Sequence, residues 1–221
     1  MPVQKENYKK INEEVKSSGA VLVAVSKTKP VADIQELYVM GHRHFGENYV
    51  QELVDKQAQL PGDICWHFIG HLQTNKVKYI AAFVHMIHGV DSQKLLKEIN
   101  KQGEKHNRII SVLLQVHIAE EETKFGFDEQ DLDIVIQAGL ASFKFVRVEG
   151  LMGMASFSND PQLVQKEFKF LKGLFDKYQS NPALSFTTLS MGMSGDYHLA
   201  LANGSNLVRI GSLLFGERTY S

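Results

Sequence analysis

Eight short runs of apolar and β-branched residues alternate along the chain with segments of helical periodicity, and this alternation constrains the fold more than any other feature. In chain order the runs are "VLVAVS", "HRHFG", "CWHFIG", "VHMIHGV", "IISVLLQVHI", "KFVRVEGL", "SFTTLSM" and "NLVRIG". The fifth run is apolar almost throughout, which is typical of a strand buried on both faces of a parallel sheet. The pattern therefore predicts repeated strand–helix units.

The helical segments carry their own start and stop signals. An N-terminal helix over Gln4 to Ser18 precedes the first strand. Side chains suited to accept from the first N–H groups of a helix precede three later helices: Asp91 or Ser92, Asp128, and Asp160 followed by Pro161. Glycines suited to a helix end follow four of the helices: Gly19, Gly41, Gly103 and Gly139.

Eight strands with their helices in a chain of 221 residues predict an α/β fold, the (β/α)₈ TIM barrel, with an additional N-terminal helix. We expect residues 1–221 to form a single domain. The chain is slightly shorter than is usual for this fold, so its loops must be short. An open, doubly wound parallel sheet is the alternative.

Composition and charge exclude several classes of protein. The formal net charge is −1 and there is no basic block, so we predict no nucleic-acid partner. The one cysteine, Cys65, has no internal partner for a disulfide, which fits a reducing compartment. The start "MPVQKENYKK" lacks the apolar core of a signal peptide, and no segment is apolar and long enough to span a membrane. We therefore predict a cytoplasmic protein.

A lysine follows the first strand, and functional residues of a (β/α)₈ barrel gather at the carboxyl ends of its strands. Lys27 shares the alternation of Val21, Val23 and Val25, which we expect to be buried. Apolar walls would lower the pKa of its amine and favour the neutral nucleophile that a Schiff base requires. Lys29 is the competing amine, and a solvated surface lysine is the alternative interpretation.

Other strand ends carry polar and glycine-rich segments. The segment "FGEN" places Asn48 at the barrel mouth. Ser194 and Gly195 lie where a helix begins after the seventh strand, and Gly211 and Ser212 follow the eighth strand. These two loops are a recurrent phosphate site in this fold, because helix N-termini offer free N–H groups. The alternative is that the glycines only form turns.

An arginine lies inside the eighth strand. Arg209 is flanked by Val208 and Ile210, and an arginine in such a position is rarely buried without a partner. A structural ion pair with Glu149 or Glu47 is the alternative to a functional role.

The nine histidines raise the question of metal binding. His42 and His44 share a strand face, and His67 and His71 flank "FIG". No cysteine cluster or H-E-x-x-H motif accompanies them, so we predict no metal site and interpret them as hydrogen-bonded scaffold. Cys65 lies in an apolar strand and is typical of a core residue rather than a nucleophile.

Six segments together closely resemble the pyridoxal phosphate homeostasis protein family, single-domain relatives of the alanine racemase N-terminal barrel. They are "VSKTKP", "FGENYVQE", "WHFIGHLQTNK", "VEGLMGM", "LSMGMSGDYHLAL" and "GSNLVRIGSLLFGER". The match covers nearly the whole chain in order. Each motif alone is weak, but six in sequence are highly specific.

The resemblance implies a (β/α)₈ barrel that holds pyridoxal 5′-phosphate (PLP) in its mouth. The implied contacts are Lys27 as the Schiff-base lysine, Asn48 beside the cofactor, Arg209 facing the pyridine nitrogen, and Ser194, Gly195, Gly211 and Ser212 around the phosphate. The family often has threonine at position 212 and an acidic residue at position 195. The first difference keeps the hydroxyl, and the second falls at a variable position.

The resemblance also implies a role in intracellular PLP homeostasis, and two other functions are possible alternatives to it. Because an arginine leaves the pyridine nitrogen unprotonated, PLP is a weaker electron sink, and we predict no efficient catalysis. Racemases of this type also take a tyrosine from a second, β-rich domain of the partner subunit, which we do not find in this sequence. One alternative is a weak amino-acid racemase or related PLP enzyme that uses Lys27 as one base and a tyrosine or histidine near the mouth, such as His67, as the other. A second is a carrier that docks to PLP-dependent apoenzymes. We expect a monomer.

Overall fold

The computed structural model describes residues 3–121, 125–181 and 184–216. In this part of the chain eight parallel strands pair in chain order, and the last pairs with the first to close a barrel. The strands are β1 (Val21–Val25), β2 (His44–Glu47), β3 (Cys65–Phe68), β4 (Met86–Val90), β5 (Ile110–Val116), β6 (Val146–Gly153), β7 (Thr188–Ser190) and β8 (Leu207–Ile210). The predicted (β/α)₈ barrel is confirmed, and closure excludes the open doubly wound sheet.

Helices connect successive strands and cover the outside of the barrel. The described α-helices are α1 (Lys5–Ser17), α2 (Val31–Val39), α3 (Val50–Gln57), α4 (Val77–Ile80), α5 (Gln93–Lys105), α6 (Glu129–Gln137), α7 (Pro161–Gln179), α8 (Tyr197–Ala202) and α9 (Ser212–Phe215). Two short 3₁₀ segments are Thr74–Lys76 and Leu140–Ser142. The N-terminal helix is therefore confirmed as α1.

Local side-chain chemistry sets where several helices begin. The Ser92 hydroxyl accepts from the N–H of Leu95 at the start of α5, which decides between the two predicted caps. Asp128 and Asp160 cap α6 and α7 in the same way. Such caps satisfy backbone donors that have no acceptor within the helix.

The predicted helix end at Gly103 is wrong, because α5 continues to Lys105. The glycine is needed for close packing instead. A Cβ at this position would lie 2.8 Å from the carbonyl oxygens of both Arg108 and Phe145. The missing side chain therefore lets α5 approach the segments that lead into β5 and β6.

Alternate residues of β1 face different surroundings. Leu22 and Ala24 belong to the large apolar cluster between strands and helices. Val23 is fully buried inside the barrel, where a Cβ at Gly46 would approach its Cγ1 to 2.9 Å. The prediction that Val21 is buried is wrong: its side chain is 39% exposed, because it lies at the open amino-terminal end of the barrel.

His42 is a buried histidine outside the barrel lumen. Its ring packs edge-on against the rings of Tyr8 and Phe45, and its Nε2–H donates to the carbonyl of His44 at 2.8 Å. Burial lowers the pKa of His42 from its ordinary 6.5 to about 4. The folded protein therefore holds this imidazole neutral under conditions in which the unfolded chain would protonate it.

The difference in the pKa of His42 between the folded and unfolded states predicts that the free energy of unfolding falls as the pH drops from 6.5 to about 4. In this range the unfolded chain protonates His42 and the folded protein does not. His42→Gln should remove up to about 3 kcal/mol of that pH dependence. Urea unfolding across this pH range measures it, with the exposed His106→Gln as the control. Parallel pH curves for His42→Gln and wild type would contradict the prediction.

Candidate functional site

A cavity of about 470 Å³ opens at the carboxyl ends of the strands. All seven residues predicted to hold a cofactor line it: Lys27, Asn48, Ser194, Gly195, Arg209, Gly211 and Ser212. The remaining lining residues are Val25, Lys29, Ile69, Met154, Phe157, Met193, Asp196 and Gly216. The fold thus brings side chains from the two ends of the chain into one concave site.

The two candidate lysines of this cavity have different surroundings. Lys27 is half-buried and lies beside Val25 in the lining. The Nζ of Lys29 donates to the carbonyl oxygens of Phe215 and Gly216, at 2.9 and 3.3 Å. Those carbonyls end α9, so Lys29 binds the negative end of a helix and fastens the segment after β8. This contact favours Lys27 as the reactive amine.

A buried ion pair lies behind Lys27. The Nζ of Lys56 donates to Glu47 Oε1 at 2.8 Å and to the Ser26 carbonyl at 2.7 Å. The Ser26 hydroxyl donates to the same carboxylate oxygen. Glu47 is fully buried, and its burial raises the pKa of the carboxyl to about 6 despite the nearby ammonium. The pair therefore fixes the backbone on the amino-terminal side of Lys27.

The carboxylate of Glu52 holds the other side of Lys27. Its Oε1 accepts from Lys56 Nζ at 2.6 Å and from the backbone N–H of Thr28 at 2.6 Å. Thr28 has a φ of +63°, a left-handed conformation that is uncommon for a residue with a β-branched side chain. The network thus stabilises a strained turn that directs Lys27 toward the cavity, a role that sequence analysis missed.

Lys56→Met tests this network, because the substitution leaves Glu47 buried without its cation. We expect the free energy of unfolding to drop by about 3–5 kcal/mol, measured by urea denaturation. The exposed Lys97→Met is the matched control. Adding Glu47→Gln should restore part of the loss, since it removes the uncompensated charge. A Lys56→Met protein as stable as Lys97→Met would refute the role of the pair.

The loops after β7 and β8 are joined at the cavity. The backbone N–H of Gly211 donates to Ser194 Oγ at 3.3 Å, and the Asp196 carboxylate accepts from the N–H of Met193. A Cβ at Gly211 would lie 3.2 Å from the carbonyl oxygen of Val25, so this glycine permits a close approach to β1. A Cβ at Gly195 would meet nothing within 4 Å, so packing does not require glycine there.

Arg209 is buried at the floor of the cavity. Its Nη1 donates to the carbonyl and hydroxyl oxygens of Ser190, and its Nη2 donates to the carbonyl of Gly153 at 3.1 Å. The alternative of an ion pair with Glu149 or Glu47 is therefore wrong. Burial lowers the pKa of the guanidinium to about 10, which still leaves it cationic at neutral pH.

Asn48 presents an unsatisfied atom at this site. Its Oδ1 is buried and has no hydrogen-bond partner among the described residues. The backbone of Asn48 is tightly packed, because a Cβ at Gly70 would collide with its carbonyl oxygen. A buried acceptor without a partner is costly unless a ligand satisfies it.

Fold and cavity together define a class of protein, a (β/α)₈ barrel with a lysine after its first strand and two hydrogen-bonded loops after its last two strands. The family model of the alanine racemase N-terminal domain matches residues 4–219. A pyridoxal phosphate homeostasis protein of Aquifex aeolicus is 42% identical over 202 residues, which cover 91% of this chain and 88% of that relative. The chain therefore belongs to the pyridoxal phosphate homeostasis protein family, within the alanine racemase N-terminal domain family.

Solved structures agree with this assignment. PipY of Synechococcus elongatus with PLP bound is 36% identical, with a TM-score of 0.87 over 96% of this chain and 99% of that one. Alanine racemase of Streptomyces coelicolor has a TM-score of 0.75 at 15% identity, over 94% of this chain and 56% of that one. The second comparison shows a shared fold alone.

Proposed function

We propose that this protein binds PLP in the cavity at the carboxyl ends of the strands and serves PLP homeostasis, with Lys27 holding the aldehyde as a Schiff base. The main support for this proposal is that all seven residues assigned from the family resemblance line one cavity. The PLP-bound structure of PipY and the names of the relatives support the ligand.

The residues present fit the chemical groups of PLP. Lys27 offers the amine for the aldehyde, and the joined loops of Ser194 and Gly211 offer hydroxyl and N–H groups for a phosphate. Asn48 Oδ1 offers an acceptor that no group in the described part of the chain uses. PLP, when bound, supplies an aldehyde that condenses with amines and a ring that accepts electron density.

Arg209 argues against efficient catalysis. A guanidinium that stays charged at neutral pH donates to a ring nitrogen and does not give it a proton, so the ring withdraws electrons weakly. No tyrosine or histidine is among the described residues that line the cavity. His67, the example considered as a second base, lies inside the barrel and is 1% exposed. We therefore propose binding without efficient turnover.

An absorbance spectrum tests the binding proposal. Wild-type protein with PLP should show an imine band, and borohydride should fix the cofactor onto the peptide that contains Lys27. Lys27→Ala should lack the band, because the amine of Lys29, the other lysine in the described lining, donates to the carbonyl oxygens of Phe215 and Gly216. Lys29→Ala is the matched control and should retain it. A band that persists in Lys27→Ala and disappears in Lys29→Ala would place the Schiff base on Lys29 and contradict the proposal.

Incubation with D- or L-alanine tests the catalytic alternative. We expect interconversion no faster than with the same concentration of free PLP, since the described lining lacks a second acid–base side chain of the racemase type. Chiral chromatography of the amino acid measures it. Turnover well above free PLP that is lost in Lys27→Ala would establish a racemase instead.

Four further statements stay predictions: delivery of PLP to apoenzymes, a monomeric state, a cytoplasmic location, and a single domain over residues 1–221. In the described ranges no helix combines the length and apolar character needed to cross a bilayer.

A further inference from the structure

Three histidines meet at the end of the barrel opposite the cofactor cavity. His44 is the first residue of β2, His67 lies in β3, and His85 immediately precedes β4. One ring nitrogen from each lies within 4.8 Å of the others. The pairs considered from the sequence, His42 with His44 and His67 with His71, are not this group, because adjacent strands rather than short spacings bring its members together.

We propose that His44, His67 and His85 form a binding site for a divalent transition-metal ion of the zinc type, with water as the fourth ligand. Three imidazoles with one open position are an established ligand set for Zn²⁺. Tetrahedral bonds of about 2.05 Å place ligand nitrogens about 3.4 Å apart. His44 Nδ1 and His67 Nε2 are already 2.9 Å apart, so the site needs only a modest opening of this pair.

The third ligand is free to complete the geometry. His85 is exposed, and its ring contacts the rings of His44 and His67 at centroid distances of 5.8 and 5.1 Å. Within the described residues its side chain makes no hydrogen bond, so a small rotation costs little. His44 is half-buried and also lines an open cavity of about 280 Å³, which provides a path from solvent.

Behind the site, a hydrogen-bonded chain supplies the outer support that metal-binding histidines use. His67 Nδ1 lies 2.8 Å from His88 Nε2, and His88 Nδ1 lies 3.3 Å from the Ser190 hydroxyl, which accepts from Arg209. If His67 Nε2 binds a metal, its Nδ1–H donates to His88, and His88 Nδ1–H donates to Ser190. Such a partner for the second ring nitrogen orients the ligand and strengthens its bond.

Calorimetric titration of tag-free protein with Zn²⁺ tests the site. Wild type should bind one ion per chain, and His85→Ala should weaken binding at least about tenfold through loss of a ligand. His85 is exposed, so its substitution should leave the fold intact. The exposed His106→Ala is the matched control and should bind as wild type does. Co²⁺ should give the visible absorbance bands of a tetrahedral ion in wild type and lose them in His85→Ala.

Zinc titration of Lys27→Ala tests whether the histidine site is independent of the proposed PLP binding. The variant should bind Zn²⁺ as wild type does, because the histidines lie at the other end of the barrel and need no PLP. Absence of stoichiometric binding, or binding that His85→Ala does not weaken, would overturn the proposal. Binding lost in Lys27→Ala and kept in His85→Ala would also overturn it, by placing the ion at the cofactor cavity.

Discussion

Closure of the barrel by pairing β1 with β8 is the constraint on which the cofactor cavity depends. Val23 lies opposite Arg209 and Ala24 opposite Ile210 in this parallel pair. Because the strands run in the same direction and in this register, the segments that follow them emerge side by side at one end. Lys27 therefore reaches a site whose other wall comes from the far end of the chain.

A chain of hydrogen-bonded polar side chains crosses the interior of the barrel and connects its two ends. The guanidinium of Arg209 loses water on burial, and carbonyl and hydroxyl oxygens replace that water without neutralising its charge. The positive charge thus stays available to a ligand. From Ser190 the path continues through His88 to His67, so the cofactor cavity and the histidine group share one hydrogen-bonded chain.

Features that depend on neighbours in the chain were predicted well. The strands appear where the apolar runs lie, with ends that differ by a few residues, and the caps at Ser92, Asp128 and Asp160 are confirmed. Gly103 was interpreted wrongly, because its role is to permit contact with a distant segment. The residues that the family resemblance assigned to the cofactor line one cavity, since they lie at or just after the carboxyl ends of strands, which meet at one edge of the barrel.

The amino-acid sequence by itself determined the eight strand–helix units, the lysine that follows the first strand and the family to which the chain belongs, because periodicity and motifs are local properties. Tertiary structure alone decided that Lys56 pairs with Glu47 behind that lysine, that Lys29 binds the end of α9, and that His44, His67 and His85 meet. The physical reason is that such contacts depend on strand register and barrel closure, which no spacing along the chain encodes.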